Sequence, residues 1–396
     1  MRISGNWPRF GGAKLRFFLF SLFCVAVCLG LLTGCARDSD TVTIGWLGPL
    51  TGDMAVWGIS ESSATRMFFD QLNEQGGLLG KQVRLVAHDT RGEAMETINV
   101  TRRLATMDNA IGIIGPNTSG QALAMVSALN DVEVASIATV ATNPRVTVAE
   151  DGSVNPFNFR VAFIDNYQGP VAAGFAFNHL NARTAAVLFD VGSDYSHGVS
   201  EFFQEHFRRL GGNIVAVEGF NPRDVDFRPQ LTSIRNANPD VILMPFSFRE
   251  VALATQQARD LGITSIFLGT DTWPSALLLE MAADSIAGSY IVHHMDLRAT
   301  HAAWLRDMYF ARFNREPEIN AFLAWDASTM LVEAVQRANS FDPVAIRNEL
   351  VNTDFMGITG RIRIGANSHN PEGKTAAILT VIDGEFVFVQ NYSPTF

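Results

Sequence analysis

Ile113-Ile114-Gly115-Pro116-Asn117-Thr118-Ser119-Gly120-Gln121 is the stretch on which the reading of this chain turns. An apolar run over residues 110–114 enters it, and a helical pattern over residues 121–130 leaves it. Between them lie a glycine, a proline and a hydroxyl-bearing loop. A strand that stops at such a loop and is followed at once by a helix leaves backbone N–H groups unpaired at the helix start. Those groups and the positive end of the helix dipole favour a bound anion. Ser119 at this start has two readings: it holds the carboxylate of a small ligand such as an amino acid, or it caps its own helix.

Upstream, the first segment reads as a targeting signal rather than as part of the fold. Arg2, Arg9, Lys14 and Arg16 precede an apolar stretch over residues 17–32, which ends in Leu32-Thr33-Gly34-Cys35. A basic start, an apolar middle and a small-residue site describe a secretory signal. Its last four residues resemble a lipobox, where bacterial lipoproteins are acylated on cysteine and cleaved before it. An uncleaved anchor is the alternative, but the stretch is shorter than the ~20 residues of a membrane span. Residues 1–34 are then the signal, Cys35 carries lipid and residues 35–41 are a tether. The three cysteines are Cys24, Cys28 and Cys35, so the exported part has no internal disulfide and no thiol chemistry. Loss of the four basic residues takes the formal charge from −10 to −14. Such an acidic chain is a poor partner for nucleic acid.

Beyond the tether, strand and helix patterns alternate. Strands are expected over residues 43–47, 83–87, 111–114 and 132–139, with helices over 58–75, 93–107 and 121–130 between them. The 155–159 region breaks the rhythm near a boundary at Ile164. A second series follows, with strands over 185–189, 214–217, 241–244, 266–268 and 289–293. Its helices are expected over 167–180, 198–210, 227–237, 250–261 and 275–282. Three helical patterns without strands come next, over 302–313, 322–338 and 344–351. Short strands around Ile362, Leu379 and Val387 close the chain, with Asp383-Gly384 as a hairpin turn. Alternation of this kind means parallel sheets covered by helices, and two series mean two doubly wound lobes. The late helices, lacking strands of their own, return to the first lobe.

Ligands of open parallel sheets sit beyond the carboxyl ends of the strands. The polar residues at those places are Ser119, Thr142, Asp190 to Tyr195, Ser247 and Asp271. Ser119 and Thr142 offer hydroxyl donors to a carboxylate, and Asp271 offers an anion to an ammonium. Tyr195, Trp57, Phe246, Phe248 and Trp273 offer aromatic faces. Walker A, Gly-x-Gly-x-x-Gly, Gly-x-Ser-x-Gly and His-Glu-x-x-His patterns are missing at the places where they would signal an enzyme. His293-His294-x-Asp296 is a poor metal set, because neighbouring strand residues point to opposite faces. No cofactor and no metal are expected.

Taken in order, Ile44-Gly45-Trp46-Leu47-Gly48-Pro49-Leu50-Thr51-Gly52 with Gly58, Asn73-Glu74-Gln75-Gly76-Gly77-Leu78-Leu79-Gly80-Lys81, Ile114-Gly115-Pro116 with Ser119-Gly120, Asp194-Tyr195-Ser196-His197-Gly198, Gln257-Ala258-Arg259-Asp260-Leu261-Gly262 and Phe355-Met356-Gly357-Ile358-Thr359-Gly360 form a specific series. Through them the chain resembles the type I periplasmic binding proteins of the branched-chain amino acid class, the lipid-anchored substrate-binding subunits of ABC importers. The resemblance runs from about residue 41 to about 390. It implies two Rossmann-like lobes that close by hinge motion about three crossovers, near Ile164, Ile291 and Ala376. The first lobe is then 42–163 plus 292–375, and the second 164–291 plus 376–396.

By motif position, the carboxylate-binding serine falls on Ser119, the backbone contributor on Val140 and the threonine on Thr142. The tyrosine over the ligand falls on Tyr195, the ammonium-binding acid on Asp271 and an aromatic pocket wall on Trp57. A second tyrosine of the leucine-binding members falls near Ser247, a departure that bears on side-chain specificity. The resemblance implies no enzymatic activity. It implies a monomer outside the cytoplasm, lipid-anchored to a membrane facing the periplasm or on the outer face of a single-membrane cell. Its ligand would be an amino acid of apolar or branched-chain type and its partners the permease subunits. The alternatives are an amide, urea or aromatic acid on the same scaffold, or a ligand sensor in a signalling system.

Overall fold

The computed structural model describes residues 40–394, so the signal and Cys35 lie outside the described residues. The first strand, β1 (Thr41–Gly48), is buried along nearly its whole length, as a central strand covered on both faces must be. Helix α1 (Ala55–Glu74) leads to β2 (Gln82–Asp89), α2 (Ala94–Thr106), β3 (Ala110–Ile114), α3 (Ser119–Val132), β4 (Ser136–Ala138) and β5 (Asn158–Arg160). These five strands form a sheet in the order β2-β1-β3-β4-β5, parallel throughout. Trp46 on β1 stands opposite Ile114, and Ile114 opposite Ile137.

The second series begins with α4 (Asp165–Asn178), β6 (Thr184–Asp190), α5 (Asp194–Arg209), β7 (Asn213–Phe220) and α6 (Arg228–Ala237). It continues through β8 (Val241–Leu243), α7 (Phe248–Asp260), β9 (Ile266–Gly269), α8 (Ala276–Ile286) and β10 (Tyr290–His293). Then come α9 (Ala303–Phe313), α10 (Ile319–Ala338), α11 (Pro343–Leu350), the small hairpin β11 (Asp354–Gly357) and β12 (Gly360–Arg363), and lastly β13 (Ala376–Ile382) and β14 (Glu385–Tyr392). The second sheet runs β14-β13-β10-β9-β8-β6-β7, with β13 and β14 antiparallel to their neighbours.

The cores explain the layering. Ala186, Leu188, Ile242 and Met244 belong to one apolar cluster, and their chain neighbours Ala185, Val187, Val241 and Leu243 to another. Alternate residues of a strand face opposite sides, so helices cover both faces of the second sheet. Leu305, Tyr309, Phe322, Leu331 and Ile346 pack into the core of the first sheet. The chain therefore passes between the lobes after β5, after β10 and before β13. Helices α9 to α11 return to the first lobe, as their lack of strands implied.

Some local expectations needed correction. Residues 158–160 form an edge strand where only a break in rhythm was expected; it is three residues long and lies beside Pro156, so no period-2 pattern marks it. Residues 132–135 do not belong to β4, since α3 extends to Val132. Helix α5 starts at Asp194, which places Tyr195 in a helix and not in a loop. The Asp383-Gly384 turn is as expected, with positive φ at both residues joining β13 to β14.

Candidate functional site

In the first sheet the chain order reverses between β1 and β3, and in the second between β6 and β8. The carboxyl ends at these two switch points face a common cavity of about 460 Å³ between the lobes. Met54 and Trp57 at the start of α1, residues 117–121, and Val140 and Ala141 line it from the first lobe. Asp190 with residues 192–195, Phe246, Ser247, Asp271 and Thr272 line it from the second. Gly115 makes the loop after β3 tight enough: its φ is +102°, and an added Cβ would stand 2.3 Å from the Leu47 carbonyl oxygen.

Ser119 is the first residue of α3 and not its cap. Thr118 occupies the cap position, and no side-chain cap hydrogen bond is made there. The Ser119 hydroxyl instead accepts the Asn143 N–H at 3.2 Å. Val140 lines the cavity, whereas Thr142 is fully buried behind it and is not part of the wall. The Thr142 carbonyl accepts the Asp165 N–H at 3.0 Å, which ties this loop to the first crossover. Burial pushes the Asp165 carboxyl up to about 8, against the pull of Thr142. Trp57 lies edge-on to Phe248 across the cleft, ring centroids 5.7 Å apart. Phe248 and Trp273 are core residues rather than exposed aromatic faces; the Trp273 indole N–H donates to the Met244 carbonyl at 2.9 Å. Ser247 lines the cavity as the cap residue of α7, and its hydroxyl makes no capping bond.

Asp271 is the best-held charge of the site. One carboxylate oxygen accepts the Gln168 amide N–H at 2.7 Å and the Tyr195 hydroxyl at 2.6 Å; the other accepts His294 Nε2 at 3.0 Å. Burial opposes its ionisation, but His294, Tyr195 and Gln168 outweigh burial and hold it below the usual carboxylate range. Burial and the Asp271 charge keep the Tyr195 hydroxyl protonated, well above its usual 10. Sequence reasoning missed Gln168, which lies inside α4, and His294, which directly follows β10 but was weighed only with His293 and Asp296 as a metal set. His293 bonds the Met295 carbonyl through Nδ1 at 2.8 Å and takes no part in the Asp271 bond that His294 makes. Among the described residues no group of three acidic, histidine or cysteine side chains could hold a metal ion.

Behind the first-lobe wall, Glu61 is fully buried, and the Trp46 indole N–H donates to it at 3.2 Å. Burial pushes its carboxyl up to about 8, against Thr139, Asn320, Trp46 and Asn117. The lobes also touch directly. Asn143 Nδ2 donates to the Asp194 carbonyl at 3.1 Å, Arg145 pairs with Asp194 at 3.2 Å and Arg249 with Asp53 at 2.7 Å. The Ser275 hydroxyl donates to Glu318 at 3.2 Å. The cleft is closed.

Residues 41–385 match the model of a family described as periplasmic binding protein. The chain belongs to that family. Among the relatives of this periplasmic binding protein is the leucine-, isoleucine-, valine-, threonine- and alanine-binding protein of Pseudomonas aeruginosa. It is 25% identical over 82% of this chain and 86% of its own. Among solved structures, a leucine binding protein of Thermotoga maritima superposes with a TM-score of 0.82 at 32% identity, over 89% of this chain and 99% of that one. A branched-chain amino acid transporter substrate binding protein of Streptococcus pneumoniae, in complex with isoleucine, gives 0.81 at 29%, over 88% and 99%. The expected two-lobed type I fold is the fold found.

Proposed function

We propose that the protein captures an amino acid with an apolar or branched side chain between its lobes and delivers it to the transmembrane permease of an ABC importer. One observation carries this reading: a single cavity receives a helix N-terminus with Ser119 from one lobe and an ionised Asp271 from the other. A zwitterion complements that pair, with the carboxylate at α3 and the ammonium at Asp271. Trp57, Val140 and Phe246 supply the apolar wall, Tyr195 orients Asp271, and Thr142 supports the carboxylate end from behind. Ser247 leaves room in the wall. The names of the relatives, and the isoleucine in the S. pneumoniae structure, support the ligand class.

A thermal-melt panel of L-amino acids, amides, urea and aromatic acids tests the reading. A ligand at 100 times its Kd adds about 2.7 kcal/mol of stability, which raises the melting point. If an amide or an aromatic acid shifts the melt and no α-amino acid does, the reading is wrong. The lipobox supports export and anchoring through Cys35. Palmitate labelling of bacterial cells is expected to mark the wild type and not Cys35→Ser; equal labelling of both would remove the anchor.

A further inference from the structure

We propose that His294 is a positioning residue of the binding site: it holds the Asp271 carboxylate where the ligand's ammonium arrives, and it ties that carboxylate to the hinge. This rests on the amino-acid reading above and adds a residue to it. His294 directly follows β10, where the chain crosses between the lobes for the second time. Its ring stacks on Phe163 of the first crossover, centroids 3.9 Å apart and planes 26° apart. Lys374, at the third crossover, is buried close enough for its charge to bear on the imidazole. His294 thus stands at the second crossover, stacks on the first and lies within reach of the charge of the third, and its ring bonds Asp271, whose other donors are Gln168 and Tyr195.

The protonation state decides what the ring does. A carboxylate only accepts, so Nε2 carries the proton. Nδ1 is buried without a hydrogen-bond partner, which favours the neutral ring. Burial lowers the imidazole's affinity for a second proton, against the pull of Asp271. Neutral His294 leaves Asp271 its full charge for an incoming ammonium. A protonated ring would cancel that charge and set a cation beside another cation. The other ionisable groups near this pair are Tyr195, held protonated, Lys374, His293, Asp165 and, through Asp165, Arg160. Asp165 and Lys374 titrate at about 8, Arg160 at about 9 and His293 at about 4.

Calorimetric titration of the full chain with L-leucine at neutral pH tests this in the wild type, His294→Gln and His294→Ala. The Gln amide nitrogen can take the place of Nε2 as a donor to Asp271. The Gln variant is expected to bind within about threefold of wild type. Ala is expected to bind about tenfold or more weakly. A Gln variant as weak as Ala would make His294 a packing residue, and an Ala variant as tight as wild type would show that Asp271 needs no such hold; either overturns the role of His294. A wild type that gives no heat with L-leucine overturns the leucine-type reading itself, which separates the two failures.

Discussion

Asp271 shows how a single residue of this site can be read and tested. Its two oxygens already take three protein donors, so the carboxylate is fixed in orientation and available to the ammonium of the proposed ligand. Asp271→Asn removes the charge and turns one acceptor into a donor facing other donors. Amino-acid affinity is expected to fall by at least ~1.5 kcal/mol, about tenfold, in calorimetry; an unchanged Kd would take Asp271 out of the site. Glu61 gives a pH test on the empty protein. Its folded carboxyl titrates at about 8 against 4.5 for the free group, so the folded state holds a proton that the unfolded chain has lost between those values. Its share of stability is complete below pH 4.5 and is lost as pH rises through about 8. Urea midpoints are expected to favour Glu61→Gln over wild type increasingly across this window, by up to ~1.4 kcal/mol per pH unit. A pH-independent difference would mean Glu61 is ionised when folded. Ser119 and Asp271 were legible in the sequence because each lies in a polar stretch just beyond the carboxyl end of a strand; Gln168 lies inside α4, and nothing local pairs it or His294 with an acid 103 and 23 residues away.

At the scale of elements, α3 and α5 belong to different lobes and meet at the cleft. Gly120 sits on α3 where an added Cβ would stand 3.7 Å from an Asp194 carboxylate oxygen at the start of α5. A small side chain fits this gap, but a branched one wedges the helices apart. Gly120→Val is therefore expected to weaken amino-acid binding about tenfold or more, while the melting point of the empty protein moves by only a few degrees. Equal damage to both would show that the contact serves the fold and not closure. The start of α3 was readable from its loop, but its side-chain chemistry was not: Ser119 bonds Asn143 across a loop and leaves the helix N–H groups uncapped. Helix α5 began earlier than its apolar pattern, because its first turn faces the cavity and carries polar residues instead of a core stripe.

For the whole molecule, closure sets Arg249 against Asp53 and Arg145 against Asp194 across the cleft. All four side chains are substantially exposed, so each pair adds only ~0.2–1 kcal/mol and is screened by salt. The double variant Arg145→Gln, Arg249→Gln is expected to bind its amino acid about three- to tenfold more weakly at low ionic strength, with the difference shrinking in ~0.5 M salt. A deficit that persists unchanged in salt would mean that these arginines act by packing and not as a latch. The latch belongs to the assembled lobes, since its partners come from opposite sides of the cleft.

The sequence by itself determined the alternation of strands and helices, the two series, the return of the late helices and the strand ends beyond which Ser119, Val140, Tyr195, Ser247 and Asp271 fall. These follow from periodicity and from residues adjacent in the chain, because backbone hydrogen bonding and burial repeat over a few residues. Only the tertiary structure decided that Thr142 stands behind the wall, that Trp273 is core, that residues 158–160 complete a sheet edge, and that Gln168, Tyr195 and His294 converge on Asp271. Those outcomes depend on sheet order and on three crossovers that bring distant segments to one point. No local pattern records such a meeting, since a buried side chain takes its partner from whatever the packed fold places beside it.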